Sequence, residues 1–171
     1  GQVACTRKTV YGLLDKWAVH LGGCLTHRLN RQDALMLKEN DLVAYGEDEV
    51  SRVQAAVASL EPNEDHAFIE IETTSAKQAL TAALAWSQHR TGMGDTPLVI
   101  MLDNLGPETC KEVAAEMESL GVREHVVLEA SGGITFEGLS DWKESGMDVI
   151  STSAVNRGVA PLDLTMLMDD V

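Results

Sequence analysis

Phe68-Ile69-Glu70-Ile71-Glu72 alternates apolar and acidic residues along a single short run. Successive side chains of a strand point to opposite faces, so the two isoleucines share one face and the two glutamates the other. The same parity recurs outward from this run. In Leu35-Met36-Leu37-Lys38, Lys38 falls on the side of Met36, and in Val99-Ile100-Met101-Leu102-Asp103, Asp103 ends the face of Val99 and Met101. Val127, Glu129 and Ser131 share a face in a fifth run. One face of each strand is thus apolar, while the other turns ionisable toward its C-terminal end. With the apolar face packed on helices, the carboxylates and Lys38 point inward.

Strands are expected at Val3–Cys5, Leu35–Leu37, Ala67–Ile71, Leu98–Leu102, Val126–Ala130 and Val149–Ser151. Amphipathic stretches near 12–20, 47–60, 75–89, 107–120 and 135–145 alternate with them as helices. Ser75 and Thr135 stand as N-caps, Pro107 opens a helix after Gly106, and Gly121 and Gly146 mark helix ends. Regular strand–helix alternation means a parallel sheet. The expected fold is α/β, an incomplete TIM-like (β/α) barrel of about six parallel strands, in one domain over 1–171. Runs 61–65 and 91–95 read as loops.

Composition narrows the partners. The chain carries a net charge of −14, which argues against nucleic acid because phosphate binding needs a basic surface. No apolar run approaches the roughly 18 residues of a membrane helix. The N-terminus lacks a secretory pattern. Cys5, Cys24 and Cys110 have no CxxC spacing, and an odd, scattered set fits a reducing compartment. A cytoplasmic protein is expected. The charge is also uneven: residues 1–40 hold six basic against three acidic side chains, and the remainder seven basic against 24 acidic. A basic segment in an acidic protein can focus an anionic small molecule.

In barrels of this class the active site lies at the C-terminal strand ends. Arg7-Lys8, Lys38, Glu72, Asp103, Ser131 and Ser151 all fall there. Any one of them could be just the first polar residue after a buried strand; six together point to a site. Thr6-Arg7-Lys8-Thr9, Thr26-His27-Arg28 after Gly22-Gly23, and Lys38 supply donors for several carboxylates or phosphates. A lone histidine is commonly structural, but beside Arg28, His27 reads as a ligand contact. Glu72 and Asp103 offer hard oxygens for magnesium or acceptors for sugar hydroxyls. Ser131-Gly132-Gly133 before a helix, with Ser151-Thr152-Ser153-Ala154, forms a candidate phosphate cradle.

These blocks, in this order, resemble the quinolinate phosphoribosyltransferases. The resemblance rests on Thr6-Arg7-Lys8-Thr9 with Gly12, Gly22-Gly23 with His27-Arg28, Lys38-Glu39-Asn40, Glu70-Ile71-Glu72, Leu102-Asp103-Asn104, Glu129-Ala130-Ser131-Gly132-Gly133-Ile134 and Asp148-Val149-Ile150-Ser151. It runs from Thr6 to about Thr165. It implies transfer of a phosphoribosyl group from phosphoribosyl pyrophosphate to quinolinate, with decarboxylation, in NAD biosynthesis. By the same resemblance, Arg7, Lys8, His27, Arg28 and Lys38 bind the carboxylates of quinolinate, with Lys8 and Lys38 also near the diphosphate. Glu72 and Asp103 serve ribose and magnesium, and Lys8, Lys38, Glu72 and Asp103 form the reacting centre. Ser131, Gly132 and Gly133, with the Ser153 and Ala154 backbone, cradle the 5′-phosphate.

Three departures stand out. Tyr11 replaces a usual proline and two residues are missing after Gly12. Lys38-Glu39-Asn40-Asp41 replaces Lys-Asp-Asn-His, and Ser153 replaces a glycine of Ser-x-Gly-Ala. The family carries an N-terminal domain ahead of this segment, so a homodimer or association with a separate N-terminal domain is expected. Two other readings remain open. One is the related molybdenum-associated barrel protein, whose relatives match the basic blocks less faithfully. The other is a noncatalytic or split-enzyme barrel that binds a phosphorylated ligand.

Overall fold

The computed structural model describes residues 1–61, 66–90, 96–157, 159–160 and 163–167. Of the two expected loops, all but Glu61 lies outside the described residues. Six strands form one wholly parallel sheet: β1 (Gln2–Cys5), β2 (Ala34–Leu37), β3 (Phe68–Thr73), β4 (Leu98–Asp103), β5 (Val126–Ser131) and β6 (Val149–Thr152). Their order is β1-β6-β5-β4-β3-β2. Each expected strand is present within a residue or two of its expected ends. The barrel is incomplete, as expected, because β1 and β2 are the two edges of the sheet. Leu25 partly covers the β1 edge through a parallel bridge to Ala4. Residues 26–33 then carry the chain across to β2.

The parity of the strands becomes the layering of the fold. Leu37, Ile69, Ile71, Ile100, Leu102, Leu128 and Ala130 face outward into a continuous apolar core. Helices α3 (Glu49–Ala58), α4 (Ala76–His89) and α5 (Pro107–Ser119) close that core with Val53, Ala56, Val57, Ala79, Ala83, Val113 and Met117. Small alanines on α4 let helix and sheet approach closely, and the aliphatic strand faces fill the space between. The opposite strand faces look into the barrel and carry Glu70 and Glu129, both buried.

Caps follow the sequence. Ser75 Oγ accepts the Gln78 N–H at 3.2 Å, and Asp48 accepts the amides of Val50 and Ser51 to open α3. A further helix, α2 (Glu39–Leu42), begins directly after β2. The backbone N–H of Lys38 donates to Asp41 Oδ2 at 2.9 Å, so Asp41, one of the departures noted above, holds the turn that presents Lys38.

The helix expected over 135–145 is not α-helical; it is a 3-10 segment, Glu137–Trp142. Its physical reason lies in spacing. Leu139 and Trp142, three apart, are the apolar pair that packs on the core, and a 3-10 helix eclipses residues three apart. Gly138 in its first turn further weakens an α-helix. Thr135, expected as the N-cap, stands one residue before the N-cap Phe136, and its Oγ1 accepts the Gly138 N–H at 3.1 Å.

Helix α1 (Leu13–Leu21) packs differently from the others. It buries only Lys16 and Val19, while Leu13, Leu14, Trp17 and Leu21 are exposed, continuous in sequence with exposed Val10 and Tyr11. Among the described residues, no helix is long and apolar enough to cross a membrane.

Ile100, fully buried at the centre of the sheet against the helical layer, tests this layering. Ile100→Ala should lower the urea unfolding free energy by about 2–5 kcal/mol. A loss under about 0.5 kcal/mol, the range of a surface change, would mean the helices do not cover this face as described.

Candidate active site

The C-terminal ends of all six strands surround one cleft of about 370 Å³. Each strand or the segment after it contributes: Thr6, Arg7 and Lys8 after β1, His27 and Arg28 from the crossing segment, and Met36 and Lys38 from β2. Glu72 follows from β3, Met101 and Asp103 from β4, Glu129 and Ser131 from β5, and Ser151 from β6. A second cavity of about 260 Å³ shares Thr6, Lys8, Asp103, Ser131 and Ser151 with the first and runs on to Gly132, Gly133 and Ser153. The cleft therefore has a wide cationic part and a narrower glycine-rich part.

The cationic part is crowded. Arg28 donates through Nη1 to the Ala34 carbonyl at 3.3 Å, and its Nη2 meets Met36 Sδ at 3.0 Å. Burial and the nearby charge of Arg7 hold the Arg28 guanidinium below its usual value. A bound anion would relieve that repulsion. Lys38 pairs with Glu72 across β2 and β3. Lys8 is steadied from the far end of the chain, where Asn156 Nδ2 donates to its carbonyl oxygen at 3.1 Å. Nothing in the local sequence flagged Asn156; its contact spans 148 residues.

In the glycine-rich part the loops after β4 and β5 are locked together. Asn104 N–H donates to the Ser131 carbonyl at 2.8 Å. Gly132 has φ 97°, and a Cβ there would stand 2.8 Å from the Asn104 backbone nitrogen, so only glycine fits. Thr152 Oγ1 donates to the Ile134 carbonyl, tying the last loop to the same place. Ser153 lines the cavity, as expected. Ala154 does not, and its N–H donates to Thr152 Oγ1 at 3.0 Å, so it has no free amide for a phosphate.

Below the cationic part lies a group whose composition parity hinted at and whose partnership it did not. His27 Nε2 donates to Glu129 Oε2 at 3.2 Å and lies 3.3 Å from Glu70 Oε2. One N–H aims at one acceptor, so Glu129 receives the hydrogen bond and Glu70 the charge attraction alone. On the other side of the ring, Nδ1 accepts the Arg28 N–H at 2.9 Å. His27 lines the cleft, yet both of its nitrogens are engaged. The geometry thus offers no free N–H for the ligand contact expected from sequence.

Burial alone would lower the His27 pKa, but the hydrogen bond to Glu129, the close approach of Glu70 and the charges of both acids outweigh it and push the value up to about 9. Burial also raises Glu70. The Arg28 N–H facing Nδ1 resists a second ring proton, because an imidazolium has no lone pair there. The extra proton is therefore shared by the group, on the ring or on Glu70.

Of the described buried side-chain atoms with no hydrogen-bond partner, Arg28 Nε, Glu129 Oε1 and Ser151 Oγ belong to residues that line this cleft, and both Glu70 oxygens and Asn156 Oδ1 belong to residues that contact its lining at His27 and Lys8. Orphaned buried polar atoms are uncommon in folded proteins, and their concentration here marks a place built to receive something polar.

Comparison with known proteins shows the family. The profile described as quinolinate phosphoribosyl transferase, C-terminal domain, matches residues 1–167. The chain belongs to this family. A probable carboxylating nicotinate-nucleotide pyrophosphorylase of Methanothermobacter thermautotrophicus is 34% identical over 169 residues, covering 96% of this chain and 55% of that protein. The carboxylating nicotinate-nucleotide pyrophosphorylase of Rattus norvegicus is 33% identical over 168 residues, covering 97% of this chain and 51% of its own. The solved nicotinate-nucleotide pyrophosphorylase of Francisella tularensis superposes with a TM-score of 0.70 at 26% identity, over 93% of this chain and 50% of that one. The chain thus spans about half the length of the curated relatives it matches.

Two measurements check the site. Gly132→Ala adds a methyl group against the Asn104 backbone at a positive φ, so melting should fall by an amount matching a loss of about 1–3 kcal/mol. An unchanged melting temperature would contradict the locked loops. The second concerns pH. His27 is raised on folding, so the stabilisation its added proton confers is complete below about pH 6.5, the ordinary histidine value, and is lost as pH rises through about 9. In urea unfolding across that window, the stability advantage of the parent over His27→Asn should shrink. A difference independent of pH would refute the raised value.

Proposed function

We propose that this chain carries the phosphoribosyl-transfer site of a carboxylating nicotinate-nucleotide pyrophosphorylase. In this reading, quinolinate and phosphoribosyl pyrophosphate give nicotinate mononucleotide, pyrophosphate and carbon dioxide, as a cytoplasmic step of NAD biosynthesis. The observation that carries it is the convergence of four cations, three acids and a glycine cradle on one cleft lined by all six strand ends.

The two parts of the cleft suit the two substrates. Arg7, Lys8, Arg28 and Lys38 match the paired carboxylates of quinolinate, with arginine offering planar, bidentate recognition and lysine a point charge. Gly132 and Gly133, with Ser131 and Ser153, suit the 5′-phosphate. Asp103 lines both parts, and Glu72 lines the cationic part beside Lys38. Their oxygens are hard ligands, and a magnesium ion held mainly by a diphosphate needs only one or two such carboxylates, so the donor set fits. Bound there, magnesium would neutralise charge on the departing diphosphate.

In this proposal the pyridine nitrogen attacks the anomeric carbon as the bond to pyrophosphate breaks. Lys8 and Lys38 stabilise the negative charge that leaves, while Glu72 and Asp103 stabilise the positive charge that develops on the sugar, which is preorganised electrostatics. The carboxylate beside the ring nitrogen then departs as carbon dioxide, leaving its electron pair on the ring carbon to take a proton. No covalent protein nucleophile is required. Cys110, buried and with its thiol pushed up to about 11, takes no part.

The exposed apolar face of α1 with Val10 and Tyr11 supports a further contact in the complete protein. A contiguous apolar surface of this kind usually meets another polypeptide. We assign it to an N-terminal domain or a second subunit, in keeping with relatives about twice this length.

Incubation with quinolinate, phosphoribosyl pyrophosphate and magnesium should yield nicotinate mononucleotide in the complete protein. Thermal stabilisation by both substrates without product would favour a noncatalytic binding domain. Arg28→Ala should weaken quinolinate by about 10- to 100-fold in calorimetry, the worth of a charge-assisted hydrogen-bond pair. Unchanged affinity would remove Arg28 from the site. Asp103→Asn should cost turnover about tenfold more than it costs quinolinate affinity. Equal losses would count against its place at the sugar and metal.

A further inference from the structure

We infer that His27 is a positioning residue: clamped between Glu129 and Glu70, it fixes the turn that aims the Arg28 guanidinium into the cleft. The inference rests on the reading of the cationic part as a carboxylate site and adds a role for the acids beneath it.

The geometry leaves His27 little else to do. Its Nε2–H is directed at Glu129, its Nδ1 accepts the Arg28 backbone N–H, and its ring meets Phe68 edge-on at 5.3 Å. His27 also adopts φ 52°, a left-handed conformation that costs a side-chain-bearing residue energy and persists only where its surroundings enforce it. The surroundings here are two carboxylates on β3 and β5, the strands flanking the centre of the sheet. Arg28, by contrast, lies in the irregular segment between β1 and β2, where no sheet ladder holds it. Its guanidinium reaches a single carbonyl and a thioether, and Nε is buried without a partner. Through His27, the rigid strands set the direction of an arginine that its own segment cannot hold.

The charged groups facing the His27 ring are Glu70 from β3 and Glu129 from β5, while Arg28 meets it through its backbone N–H. Glu129 is the member that takes the hydrogen bond, and it defines the test. Glu129→Gln keeps a neutral acceptor for Nε2–H; Glu129→Ala removes it. Calorimetry with quinolinate and, separately, with phosphoribosyl pyrophosphate should show Glu129→Ala weakening quinolinate by about tenfold or more and phosphoribosyl pyrophosphate by less than about threefold. Glu129→Gln should restore quinolinate affinity to within about threefold of the parent.

Parent-like quinolinate affinity in Glu129→Ala overturns the inference, as does an equal loss of both ligands, which would mean general damage to the cleft. The Arg28 Nε–H resonance, read by nitrogen-15 NMR without any ligand, gives an independent measure. It should move in His27→Asn, whose asparagine tolerates the left-handed turn but lacks the clamp, and this holds even if Glu129→Ala does not fold. An unmoved resonance in folded His27→Asn also overturns the inference. If the parent protein binds no quinolinate, the functional reading fails, and the NMR comparison still decides the positioning role.

Discussion

Glu70 and Glu129 sit inside the barrel, and a pair of acids there is tolerable only because His27 comes between them. A buried carboxylate left unpaired costs several kcal/mol, while one paired and hydrogen-bonded can be retained. The pairing joins the central strands to the segment that crosses the open edge of the sheet. That segment also carries Arg28, so satisfying the interior charge and placing a surface cation are one event. The cleft above depends on it: remove the pair, and the segment carrying Arg28 keeps only the contacts of its guanidinium with Ala34 and Met36 on β2.

The rest of the site is built by the opposite means. Lys38 follows the end of β2 and Asp103 ends β4, and Asp41 and Asn104 secure the turns at those strand ends. The glycine-rich part is held by steric exclusion, with Gly132 pressed against Asn104. Charge therefore gathers at one rim while the apolar faces of the same strands hold the helices. A single alternation along each strand produces both the stability of the outer layer and the chemistry of the mouth.

Much of this was legible in the sequence, for a physical reason. Alternating Ile69, Glu70, Ile71 and Glu72 can satisfy a core and a site at once only as a strand with two different sides. Lys38, Glu72, Asp103 and Ser131 followed from that parity, and the structure brings them together. Less was legible where the signal is not local. Glu129 and His27 lie 102 residues apart, and no spacing announces their contact. Asn156 on Lys8 is the same kind of case. The 3-10 segment at Glu137–Trp142 was misread because its apolar pair, three apart, fits either helix type. Ala154 was expected in the phosphate loop from resemblance, but Thr152 already takes its amide.

The proposed reaction requires that one mouth receive both substrates. Amide chemical-shift mapping during additions of quinolinate and then phosphoribosyl pyrophosphate tests it most directly. The first should move resonances around Arg7, Arg28 and Lys38, and the second those around Ser131, Gly132, Gly133 and Ser153, with the N-terminal ends of the strands silent. Shifts clustered at those N-terminal ends, or two responding patches on separate faces of the protein, would contradict it.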